Sequence, residues 1–291
     1  MINPEGKLLG KKVDHPKCYT PEILVAVPRQ LNREEYNIKA DNLPFIGFDI
    51  WHAYEMGFLT NKRLPVAGVL KLSYSCSSEF IVESKSLKLY MNSFNMETFG
   101  SNPSEGIEKV LDIIKQDLEK LLLTNVELAF FQNQEDSPFD FLDYEVLESQ
   151  KKMQEVTFDS FTENPKLLLN SDAGNIEIKV ATHLLRSNCK ITHQPDWGSA
   201  YIHIETLKPI DQVSLLKYLV SFRNENHFHE EICEMIYKRL WDVFKPSKLM
   251  VSCLYTRRGG IDICPARASS EELLPSILIS SKHLTKRSLR Q

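Results

Sequence analysis

LPVAGVLKLSYSCSSEFIVESKSLKLYMNSF, residues 64–94, is where the fold is decided. Its first part, LPVAGVLKLSYS (64–75), is rich in apolar and aromatic residues in an extended pattern. EFIVESKSLKLYMNSF (79–94) reads as a second strand, and the polar Cys76-Ser77-Ser78 between them is short enough for a hairpin. The period then changes. In NPSEGIEKVLDIIKQDLEKLLL (102–123), Asn102 suits an N-cap, Pro103 the first helical position and Glu105 the third. Ile107, Val110, Leu111, Ile114, Leu118 and Leu121 share one face, so an amphipathic helix is predicted. NVELAFFQ (125–132) returns to a strand.

The same order recurs downstream. GNIEIKVATHLL (174–185) and SAYIHIETL (199–207) read as strands, DQVSLLKYLVSF (211–222) and FHEEICEMIYKRLWDVF (228–244) as helices, and KLMVSCLYT (248–256) as a returning strand. Between the halves, the acidic and aromatic EDSPFDFLDYEVLESQ (135–150) suits a connector and puts a boundary near residue 150. Antiparallel strands with helices on one face define an α+β class. A chain of 291 residues is long enough for two domains.

The composition narrows the function. A net charge of -4 lacks the basic footprint of a nucleic-acid binder, so a small ligand is expected. MINPEGKLLGKKVDHP, at the start, has no secretory apolar run, and no stretch approaches a membrane span. A cytoplasmic protein is expected. The six cysteines show no paired spacing and read as thiols, and there is no CxxC or HExxH to suggest zinc.

LRSNCKITHQPDWG (185–198) sets Cys189 among Arg186, Ser187, Asn188 and Lys190. A working thiol acts as thiolate and wants partial exposure beside a charge-stabilising group, whereas most cysteines simply pack. Asp196 reads either as a turn residue or as a proton donor, its pKa raised by burial against Trp197 and Phe228. His227, His229, Glu230 and Glu231 open a predicted helix. A carboxylate there either complements the helix dipole or meets the adjacent N–H donors of a guanine-like ring. Glu83, Lys85 and Lys88 read first as solvated charges on a strand edge. YTRRGGIDICPAR (255–267) is either a basic turn or a phosphate grip of guanidinium and backbone N–H groups. With no GxGxxG, a nicotinamide nucleotide would bind without the Rossmann arrangement.

ESKSLKLYMNSF (83–94), SNCKITHQPDWG (187–198), FHEE (228–231) and RRGGIDICPAR (257–267) together resemble the NADPH-dependent 7-cyano-7-deazaguanine reductases of the queuosine pathway, in their long two-module form. The likeness runs from about residue 40 to the C-terminus. It implies two tunnelling-fold modules, 1–150 and 151–291, each a four-stranded antiparallel sheet with two helices on one face. It also implies reduction of the substrate nitrile by NADPH to 7-aminomethyl-7-deazaguanine, with no metal. By the same resemblance Cys189 forms a covalent thioimide and Asp196 donates the proton; Val82, Glu83, Ser84, His229 and Glu230 hold the base; Ser84, Lys85, Arg258 and Gly259 receive NADPH. The expected partner is a second copy, in a homodimer, with neither nucleic acid nor membrane. One position departs from the pattern, Cys264 standing where the family usually has Asn.

Two other readings compete. A cyclohydrolase-like enzyme would need metal ligands, and a non-catalytic purine- or pterin-binding protein would not need Cys189. Of the cofactor residues, Ser84 and Lys85 lie in the first half, while Cys189 and Asp196 lie in the second, so a working site requires strand 79–94 to face the Cys189 loop, within one chain or between two.

Overall fold

The computed structural model describes residues 16–133 and 138–286, so the N-terminal segment and the start of the predicted connector lie outside it. In the first half the elements are β1 (Ala26–Pro28), α1 (Gln30–Arg33), β2 (Ile46–Leu59), β3 (Pro65–Ser75), β4 (Phe80–Val82), α2 (Ser84–Asn92), α3 (Pro103–Leu122) and β5 (Val126–Phe131). There follow β6 (Glu145–Val146), β7 (Glu177–Cys189), β8 (Pro195–Glu205), α4 (Gln212–Val220), β9 (Asn226–His227), α5 (His229–Phe244), β10 (Lys248–Tyr255), β11 (Ile261–Ala268) and α6 (Ser276–Ile279). The class is α+β. Among the described residues no helix is long and apolar enough to cross a membrane.

One sheet carries both halves, in the order β5-β3-β2-β11-β10-β8-β7-β6, with β9 beside β7. The long strands are all antiparallel, and only the short β6 and β9 run parallel to β7. The seam between the halves is the pairing of β11 with β2, from Ile261 opposite Ala53 to Ala268 opposite Ile46. Residue 150 falls among short 3-10 turns between β6 and β7.

The predicted hairpin is corrected. β3 pairs with β2 and β5, while β4 is only three residues long and pairs with β1. From Ser84 the chain is helical. Glu83 caps α2, its Oε2 accepting the Ser86 amide at 2.6 Å. Leu87, Tyr90, Met91 and Phe94 are buried at the i, i+3, i+4, i+7 spacing of a helix face, a period hidden by the β-rich FIV before it. β2 escaped the sequence reading because it is buried on both faces. Asp49, Trp51 and Ala53 point one way, Ile50 and His52 the other, which erases the polar alternation that marks a half-exposed strand.

β11 also escaped, since 261–267 reads as part of a turn, whereas the predicted helix 102–123 is present as α3. Asn102 Oδ1 accepts the Glu105 amide at 3.1 Å, and Val110, Ile114, Leu118 and Leu122 of α3 are buried. On the helix-bearing face two apolar clusters form, one around β2, β3, α2 and α3, the other around β7, β8, β10, α4 and α5. The opposite face is covered by residues 139–146 and 273–279, where Phe141 stacks on Tyr201 with centroids 4.1 Å apart.

A buried ionic network ties the halves together. Arg267 Nη2 meets Asp49 at 2.8 Å and Glu234 at 2.9 Å, Arg29 Nη2 meets Asp49 at 2.5 Å, and Arg33 Nη2 meets Glu234 at 2.7 Å. Removing such charges from water costs several kcal/mol each unless they are paired. Here two carboxylates face three guanidiniums. Burial alone would raise Glu234, but Arg267 and Arg33 outweigh it and hold the carboxyl at about 2.

Candidate active site

A cavity of about 380 Å³ opens on the helix-bearing face where both halves of the chain meet. Val82, Ser84 and Lys85 line it from the end of β4 and the first turn of α2. Cys189 and Asp196 come from β7 and β8, His229 and Glu230 from the first turn of α5, and Arg258 from the turn between β10 and β11. Residues from distant parts of the sequence therefore share one space within a single chain. It is the N-terminus of helix α2, not a strand 79–94, that faces Cys189.

Cys189 is the last residue of β7, partly exposed rather than packed. The tight turn after it holds its backbone, the amide donating to Gln194 O at 2.8 Å and the carbonyl accepting from His193 N at 3.0 Å. Asp196 is not a turn residue either. It sits in β8 opposite Ser187 and is 3% exposed. Strand alternation sends Trp197 away from it, and Trp197 instead stacks with Arg223, whose guanidinium carbon lies 5.1 Å from the ring centroid. Burial pushes the Asp196 carboxyl upward as the sequence suggested, but His229 and Arg258 prevail and its pKa is lowered. His229 Nε2 lies 3.3 Å from Oδ2, and Arg258 Nη1 donates to Oδ1. Gln194 steadies Arg258 from the other side at 2.5 Å.

The carboxylates of the α5 first turn divide their work. Glu231 Oε2 accepts the Phe228 amide at 3.0 Å and meets Lys190 and His227, so the helix end and its neighbours are served by Glu231. Glu230 is buried against the cavity, and its Oε1 has no hydrogen-bond partner among the described residues. Burial, then the nearby charge of Asp49, pushes its pKa up to about 8. His227 is also buried at the wall. Burial pulls its pKa down, but Glu225 and Glu231 on either side of the ring raise it to about 9.

Two expected residues stand slightly apart. Glu83 is buried beneath the wall as the α2 cap. Gly259 sits in a small adjoining recess with Lys88. Gly259 and Gly260 have φ of +57° and +81°, and a Cβ at Gly259 would come within 2.6 Å of Lys88 Nζ. Arg258 thus stands on a turn whose glycines suit its left-handed backbone.

The sequence reading passed over Trp51, Ile81, Thr192, Ile261 and Ile263, which supply most of the apolar wall, and Lys88 lines the cavity rather than standing on a solvated edge. No motif marks the apolar ones. Their places follow only from the β2–β11 seam.

On the reverse face of the sheet, His52, Asp262 and Cys264 bring their donor atoms within 4.8 Å of one another. Zinc accepts such ligand types. Yet His52 Nδ1 lies 2.7 Å from Asp262 Oδ1, His52 Nε2 is 3.2 Å from Thr285 Oγ1, and Tyr54 donates to Asp262 Oδ2 at 2.6 Å. The polar atoms of His52 and Asp262 are already engaged with protein. Cys264, the departure noted above, points its thiol at Asp262 Oδ1 at 3.7 Å, away from the cavity.

The family model described as nitrile reductase, 7-cyano-7-deazaguanine-reductase N-term matches residues 15–130. A second, described as QueF-like protein, matches residues 195–273. The NADPH-dependent 7-cyano-7-deazaguanine reductase of Colwellia psychrerythraea is 39% identical over 275 residues, covering 92% of this chain and 93% of that protein.

Proposed function

The chain belongs to the family of NADPH-dependent 7-cyano-7-deazaguanine reductases, and from that premise we propose that it reduces the base's nitrile to an aminomethyl group through a covalent adduct on Cys189. The observation that carries this reading is the cavity itself, in which a partly exposed thiol, a buried acid–imidazole pair and a buried carboxyl with one oxygen unpaired among the described residues share about 380 Å³.

Addition of the Cys189 Sγ to the nitrile carbon forms a C–S bond and leaves charge on nitrogen, which takes up one proton to give a thioimide. Asp196 with His229 is the proton source. His229 first and Arg258 after it favour the ionised form of Asp196, so the proton passes through the Asp196–His229 pair rather than from an isolated acid. Glu230 meets the ring N–H donors of the base, with Val82, Glu83, Ser84 and His229 around it. Such donors want a carboxylate, so binding releases the Glu230 proton.

When bound, NADPH would be the source of the hydride that the substrate carbon needs twice on the way from nitrile to amine. The residues present fit it: Ser84 and Lys85 in the first turn of α2, Arg258, and the positive-φ amides of Gly259 and Gly260 beside Lys88 make an anion cradle. Between the two rounds a proton is again needed at nitrogen as the C–S bond breaks, and Asp196 and His229 remain beside it.

The architecture fits two tunnelling-fold modules, 1–150 and 151–291. The order β7-β8-α4-α5-β10-β11 supplies four antiparallel strands and two helices, and β2-β3-α2-α3-β5 supplies three strands and two helices. A homodimeric, cytoplasmic enzyme of queuosine biosynthesis acting on a small molecule completes the proposal.

Intact mass tests it. Wild-type protein incubated with the nitrile and no NADPH should gain the substrate mass, and Cys189→Ala should not. No gain in wild type, or an equal gain in the variant, overturns the covalent route. NADPH absorbance must also fall on adding 7-cyano-7-deazaguanine, which a non-catalytic binding protein would not produce.

A further inference from the structure

The proposed proton-donating pair rests on a residue with no assigned role. Tyr255 ends β10, is wholly buried, and lies flat on the His229 imidazole with centroids 3.8 Å apart and planes 7° apart. A histidine ring in a working site is usually oriented by a hydrogen bond from its second nitrogen. His229 lacks that support, since its Nδ1 is buried without a partner among the described residues. Its Nε2 has one neighbour, Asp196 at 3.3 Å. A single contact leaves the ring free to tip about it, and a parallel aromatic face removes that freedom.

The tyrosine ring needs room to lie there. The β10–β8 register sets Tyr255 opposite Gly198. A Cβ at Gly198 would stand 3.1 Å from Cδ1 and 3.3 Å from Cγ of the ring. A Cβ there would also stand 3.1 Å from Leu254 O, so the ring or the β10 backbone would have to give by a few tenths of an ångström, and the glycine two residues after Asp196 has a packing reason of its own.

We infer that Tyr255, seated on Gly198, is a positioning residue that holds His229 at the angle where its Nε2 meets Asp196. The inference rests on the reading of Asp196 and His229 as the proton source. Tyr255 touches neither substrate nor cofactor in this scheme and acts only through the imidazole.

Steady-state kinetics of full-length variants test it. Tyr255→Phe keeps the ring face and should retain kcat within about twofold. Tyr255→Leu removes the face and should lower kcat roughly ten- to a hundredfold, below the span of general acid catalysis as a whole, with a smaller change in KM for the base. Gly198→Ala, which keeps the tyrosine but displaces it, should lower kcat in the same sense. In a His229→Ala background Tyr255→Leu should have no further effect on kcat, because residues acting through one group are not additive.

A tenfold loss in Tyr255→Phe overturns the inference even if the other variants do not fold. So does an undiminished effect of Tyr255→Leu in the His229→Ala background. Either result leaves the Cys189 reading untouched, because wild-type adduct formation is measured separately by intact mass.

Discussion

The two faces of the central sheet handle buried polar atoms in opposite ways. On the reverse face, His52, Asp262, Tyr54 and Thr285 bond one another, and Lys71 spends its ammonium on Ile277 O, His283 O and Thr285 Oγ1 at 3.1, 2.8 and 3.2 Å. On the cavity face, Glu230 Oε1, His229 Nδ1 and Thr192 Oγ1 lack partners among the described residues. An unpaired buried polar atom is costly, and a fold tolerates it where a ligand will pay the debt. Titratable groups alone would have nominated both faces; bond accounting separates them.

The sharpest way to break this contrast is at the proton. Asp196→Asn should keep the base bound yet lose roughly 10²- to 10⁴-fold in rate, since an amide cannot donate the proton. Single-turnover rates with binding measured in parallel decide it, and near-normal turnover would reduce Asp196 to a strand residue paired with Arg258.

Glu230→Leu comes next. Leaving ring donors unpaired costs on the order of 1–3 kcal/mol, so base affinity measured by calorimetry should fall about tenfold or more while helix content persists. The same residue supplies a pH signature. Its folded pKa is raised from the ordinary 4.5 to about 8, so between those values the native chain binds more protons than the unfolded one. Its stability contribution is therefore present at low pH and lost as pH rises through that window. Thermal midpoints of wild type and Glu230→Gln should diverge across it, the wild type declining more steeply.

The reverse face should answer differently. Asp262→Ala strands His52 and Tyr54 and should cost about 1–3 kcal/mol of stability, with kcat per folded molecule unchanged. A change in kcat without a change in denaturation midpoint would erase the distinction between the faces. The smallest effect belongs to Cys264→Ala. Its thiol points at Asp262 over 3.7 Å, away from the cavity, so turnover should stay within about twofold and stability should fall by about 1 kcal/mol.

Much of the candidate site was legible because its residues travel in contiguous motifs: 187–198 and 228–231 each bring several residues to the cavity, and 257–260 brings Arg258. The α3 helix was legible because its cap, first-position proline and apolar stripe agree. The failures have physical causes. Residues 83–94 carry a helical period behind a β-branched lead, and β2 is buried on both faces. The sign of the Asp196 shift depended on His229 and then Arg258, which reach it only through the fold, Arg258 across 62 residues of sequence. The division of labour between Glu230 and Glu231 likewise needed the direction of each side chain, which adjacency in sequence cannot supply.

The β2–β11 seam also has a consequence for biogenesis. Arg267 bonds Phe48 O across 219 residues of chain, so while the chain is being synthesised the inner edge of β2 waits for a neighbour made some two hundred residues later. Until then it is an open, apolar strand edge of the kind that recruits chaperones or other nascent chains. Slow synthesis ahead of β11 would prolong that exposure, and a stop before β11 (Ile261–Ala268) would leave a product with a permanently adhesive edge.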